Sequence, residues 1–64
     1  MPLVHIHLGR GRATYEQKKE LIARVTDTFV DVLGSDKDKV WVVLHEVPRS
    51  EWGIGGKPIA EPDR

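Results

Sequence analysis

Val40-Trp41-Val42-Val43-Leu44 decides the fold. Its β-branched and aromatic side chains follow one another with little polar alternation, which reads as a strand covered on both faces. Upstream, Thr14-Tyr15-Glu16-Gln17 fits a capping box, in which the Thr14 hydroxyl and the Gln17 amide each satisfy an orphan backbone donor. Leu21, Ile22, Val25, Thr28, Phe29, Val32 and Leu33 then fall along one helical stripe, and Gly34 suits the left-handed position that ends a helix. The spacing predicts a helix over 15–33. Before it, residues 3–8 alternate, with Val4, Ile6 and Leu8 on one side and Leu3, His5 and His7 on the other, until Gly9-Arg10-Gly11-Arg12 breaks the strand. A strand, a crossover helix and a second apolar strand make a β-α-β unit with parallel strands and a right-handed crossover. Ser35 to Lys39 is a polar connection. Gly55-Gly56 suits a tight hairpin turn, and Pro58 confines the residues after it to an edge or a short extension. The tail from Glu61 to Arg64 is polar and reads as loosely held.

Sixty-four residues make a single domain, 1–64, of class α+β. A chain this short buries only about 60% of its unfolded surface and needs disulfides, a metal or oligomerisation to be stable. It has no cysteine and three histidines too dispersed for a structural zinc site, so oligomerisation is expected. His5 and His7 share one strand face without a third ligand in register. They read as surface or interface residues, and neither a metal nor a cofactor is expected. His45 shares Trp41's side of the second strand. The glycines at 9 and 11 are not followed by the Lys-Ser/Thr of a phosphate loop.

Ten basic and ten acidic residues cancel, without the clustered positive charge of a nucleic-acid binder. No apolar run approaches the ~20 residues that cross a bilayer, and the start lacks the n- and h-regions of a signal peptide. A cytoplasmic protein without nucleic-acid or membrane partners is therefore expected.

Pro2 comes directly after the initiator Met1, and a small second residue favours methionine trimming. The exposed proline then carries a secondary amine on a rigid ring, a group that no internal side chain offers. Around it, the chain resembles the 4-oxalocrotonate tautomerase family along nearly its whole length. The resemblance rests on Pro2, Ile6-His7-Leu8 leading to Gly11-Arg12, Glu16-Gln17-Lys18 opening the helix, Leu21-Ile22 with Val25, and Trp52-Gly53-Ile54-Gly55-Gly56.

The resemblance implies a β-α-β protomer with a C-terminal hairpin, sheets joined across dimers, and a homo-oligomer built as a hexameric trimer of dimers. It implies keto–enol tautomerisation of a small 2-oxo or enol acid, with Pro2 as general base and Arg12 as the carboxylate binder. Trp52 stands where the family carries an apolar site-lining phenylalanine. Trp41 stands where it carries a second arginine, inside the second strand. An indole N–H donates one uncharged hydrogen bond and cannot grip a carboxylate bidentately. Efficient turnover of a dicarboxylate is therefore not expected, and Arg10, Arg49 and Lys57 are the candidates for a replacement cation.

An unperturbed prolyl amine is largely protonated at neutral pH, whereas a general base works best with a pKa near the working pH. An apolar pocket built from Leu8, Trp41 and Trp52, with Arg12 nearby, disfavours the ammonium form. Two rival readings stand beside this one. Hydration or dehalogenation of a small unsaturated acid would need Glu46 or Glu51 to position water. A catalytically impaired subunit or binding protein, or one partner of a hetero-oligomer that takes the missing arginine from another chain, is the reading Trp41 favours.

Overall fold

The computed structural model describes residues 2–62. The expected trimming of Met1 and the final residues of the polar tail, Asp63 and Arg64, lie outside the described residues.

Alternating hydrophobicity sets the first strand, β1 (Leu3–Gly9), and the capped amphipathic run becomes helix α1 (Tyr15–Leu33). Both halves of the capping box are formed. The Gln17 backbone N–H donates to Thr14 Oγ1 at 3.1 Å, and the Thr14 backbone N–H donates to Gln17 Oε1 at 2.9 Å. Gly34 closes the helix in the left-handed conformation, its N–H donating to the Val30 carbonyl at 2.9 Å. Removing the Thr14 hydroxyl leaves the start of the helix open. Thr14→Ala is expected to cost about 1 kcal/mol, read as a lower denaturation midpoint at fixed protein concentration, with Thr14→Ser nearly neutral.

A short 3₁₀ turn (Lys37–Lys39) leads into β2 (Trp41–Val47), which pairs parallel with β1 from Leu3↔Trp41 to Gly9↔Val47. β2 therefore runs three residues beyond the apolar stretch expected from the sequence, through His45, Glu46 and Val47. Backbone pairing with β1 carries it across these polar positions. A second 3₁₀ turn (Arg49–Glu51) precedes a minimal antiparallel hairpin, β3 (Gly53–Ile54) and β4 (Lys57–Pro58). The turn between them has Gly55 at φ 62° and Gly56 at φ 86°, the consecutive positive values of a two-residue hairpin turn. Ile59 N–H donates to the Trp52 carbonyl at 2.9 Å and folds the chain back.

α1 lies on one face of the two-stranded sheet. Parallel partners point the same way, so Val4, Ile6, Leu8, Val42, Leu44 and Glu46 form the helix side, and Lys18 Nζ meets Glu46 Oε1 there at 2.6 Å. The helix presents Leu21, Val25, Thr26, Phe29 and Val30 at positions less exposed than their neighbours. The apolar stripe read from the sequence is wider than this contact: Val32 and Leu33 remain 74% and 63% exposed. A single sheet face covers only part of it.

The opposite sheet face carries Leu3, His5, His7, Trp41, Val43 and His45, and among the described residues no helix or strand lies over them. Among the described residues no hydrophobic side chain is buried; only Thr26 is, at 8% exposure. Full burial of a Val, Leu or Phe contributes about 1.5–3 kcal/mol, so a lone protomer leaves part of that stabilisation unrealised. It is a thin plate, 43 × 25 × 13 Å. Among the described residues no helix is long and apolar enough to cross a membrane.

Candidate active site

Pro2 precedes the first residue of β1, and its carbonyl accepts a hydrogen bond from the Trp41 backbone N–H at 3.0 Å. The amino-terminal end of the sheet therefore brings Pro2 and Trp41 together. Trp41 is 56% exposed and stands on the open face with Leu3, which pairs with it and is 54% exposed.

Arg12 lies at the other end. β1 finishes at Gly9, Arg10 N–H donates to the Val47 carbonyl at 2.8 Å, and Arg12 N–H turns back to the Gly9 carbonyl at 3.3 Å. Seven residues of strand separate Pro2 from this loop, a span of about 20 Å. Trp52 belongs to the Arg12 end as well. It is half-buried just after the second 3₁₀ turn, its N–H reaching the Arg49 carbonyl at 3.4 Å. One protomer thus holds Pro2 with Trp41 at one end and Arg12 near Trp52 at the other. The expected apolar wall divides likewise: Leu8 sits on the helix side opposite Glu46, away from Pro2 of its own chain.

The ends also differ in charge. Lys18, Lys19, Arg24 and Lys39 are paired with Glu46, Glu16, Glu20 and Asp36. Among the described residues Arg10, Arg12 and Arg49 have no carboxylate partner. All three belong to the end where β1 and β2 finish, and Arg10 and Arg49 line a cavity of about 330 Å³ there. The Pro2 end has the Trp41 indole where a cation was expected from the family pattern.

The two candidate water-positioning carboxylates fare differently. Glu46 is drawn to the helix side by Lys18, away from the open face. Glu51 lines the arginine cavity.

Sequence reading missed a histidine cluster. His5 Nδ1 and His45 Nε2 are 2.7 Å apart, and the His45 ring stacks on His7 with centroids 4.6 Å apart. Strand alternation already put His5 and His7 on one face, but His45 joins them only through the β1–β2 register. Among the described residues no group of His, Asp or Glu side chains has the arrangement of a metal site.

Comparison with known proteins places the chain among tautomerases. A family model described as Tautomerase enzyme matches residues 2–61. A probable tautomerase of Dickeya dadantii is 44% identical over 61 residues, covering 95% of this chain and 91% of that protein. A 2-hydroxymuconate tautomerase of Comamonas testosteroni is 39% identical, covering 95% of each. Among solved structures, a heterohexameric 4-oxalocrotonate tautomerase of Chloroflexus aurantiacus superposes with a TM-score of 0.85 at 33% identity, over 95% of this chain and 97% of the other.

Proposed function

This chain belongs to the tautomerase family, and from that membership we propose that it is an isomerase interconverting enol and keto forms of a small 2-oxo acid, with Pro2 as the base. After Met1 is removed, the prolyl nitrogen takes a proton from the enol oxygen or an activated carbon and returns it to carbon. Arg12 holds the substrate carboxylate, and Trp41 and Trp52 form apolar walls. The match over residues 2–61, with Pro2 at the head of β1, carries this reading.

Since Pro2 and Arg12 occupy opposite ends of one protomer, the working site is composite. Both strands of the two-stranded sheet have free edges, and a second copy related by a two-fold axis sets one Pro2 end against the other's Arg12 end. The open face, with Leu3, Trp41 and Val43 exposed, supports further assembly, and a homohexamer built as a trimer of dimers accounts for both surfaces.

Trp41 selects the substrate. With no cation in the second strand beside Pro2, the end of the substrate remote from its carboxylate is uncharged and apolar. Phenylenolpyruvate fits this description and 2-hydroxymuconate does not. The oligomer, with Met1 absent by intact mass, is expected to ketonise phenylenolpyruvate with much the higher kcat/KM. Trp41→Arg should raise kcat/KM for 2-hydroxymuconate at least about tenfold, the contribution of one hydrogen bond to a charged group. An assay with no turnover of either acid would remove the isomerase reading.

A further inference from the structure

Gly9 sits between two arginine stems. A Cβ built there would lie 3.4 Å from Cγ of Arg12 and 3.4 Å from Cγ of Arg49. One stem comes from the loop after β1 and the other from the turn after β2, and both flank the same bare point of the strand. Nothing in the local backbone demands glycine here, because Gly9 is absent from the positive-φ residues. A Cβ there would rest in van der Waals contact with both stems, which marks how closely the two arginines approach the same point of the strand.

Like charges do not gather without a reason. Neither Arg12 nor Arg49 has an ion-pair partner among the described residues, although the chain carries as many acidic as basic groups. Arg49 extends from this point into the cavity it shares with Arg10 and Ser50, where Glu51 and Glu61 form part of the wall. Two arginines whose stems pass the same point of the strand, without an ion-pair partner among the described residues, are suited to a carboxylate, whose two oxygens accept hydrogen bonds from planar donor forks.

We infer that Arg49 is a substrate-binding and specificity-determining residue, gripping with Arg12 the carboxylate of a 2-oxo monoacid. This rests on the tautomerase reading above, and it relocates the second cation from inside the second strand to the turn after it. The consequence is directional. Both cations engage the same end of the substrate, which leaves Trp41 to face an apolar tail.

The test uses the assembled, Met1-free protein with two probes. These are phenylenolpyruvate for turnover and 3-phenylpropanoate, a monocarboxylate that cannot tautomerise, for binding by NMR titration. Arg49→Gln is expected to raise KM for the first and Kd for the second by roughly 10- to 100-fold while kcat stays close to the parent value, the pattern of lost uniform binding. Arg49→Lys should recover part of the loss, since a point charge replaces the fork. Unchanged KM and Kd in Arg49→Gln would overturn the inference. If Pro2 proves dispensable for turnover, the base assignment falls separately, and the 3-phenylpropanoate titration still decides for or against Arg49.

Discussion

Pro2→Ala is expected to slow ketonisation about 10²- to 10⁴-fold, the range supplied by a positioned general base. The size reflects the group that is lost. Alanine leaves a primary amine on a freely rotating residue, where proline fixes the nitrogen against its ring. The backbone anchor survives, because the carbonyl of residue 2 still accepts the Trp41 N–H. KM should consequently move little while kcat falls. A preparation that keeps Met1 should be equally inactive, since its proline nitrogen lies in an amide and has no basicity. Intact mass together with a progress curve on phenylenolpyruvate checks both expectations. If the alanine variant turned over as fast as the parent, Pro2 could not be the base, whatever else the family match implies.

The second large effect comes from mixing two impaired proteins, assayed at a substrate concentration well below the KM of the Arg12 variant. Arg12→Ala should raise KM roughly 10- to 100-fold on its own, by removing a charge-assisted carboxylate bond. Unfolded together with Pro2→Ala and refolded, it should regain activity. In a dimer of one chain of each kind, one of the two composite sites combines an intact Pro2 with an intact Arg12. Random two-fold pairing therefore restores about a quarter of all sites. The expectation comes directly from the strand of about 20 Å that separates these residues in one protomer. Were both supplied by the same chain, mixing would recover nothing, and kinetics at matched total protein separate the two results.

On the proposed composite site, the same separation leaves a single chain without a complete site. The exposed Leu3, Trp41 and Val43 on the open face, and Val32 and Leu33 on the helix, are apolar surface without a partner in the protomer. Assembly covers such surface and completes the site together, so dilution should reduce activity and thermal stability in step.

Local structure was legible in the amino-acid order. The helix bounds, the capping box, the inward and outward sides of β1 and the Gly55-Gly56 turn are all set by neighbours a few residues apart. Periodicity, caps and backbone sterics act over that range. The proposal of Pro2, Arg12, Trp41 and Trp52 as site residues comes from a family pattern rather than from spacing. Tertiary pairing decided the rest. The parallel register put His45 against His5 and His7, turned Glu46 toward Lys18, and divided Pro2 and Trp41 from Arg12, Arg49 and Trp52. Shifting β2 by one residue would send Trp41, His45 and Glu46 to the other face, and no local signal fixes a pairing between residues some forty positions apart.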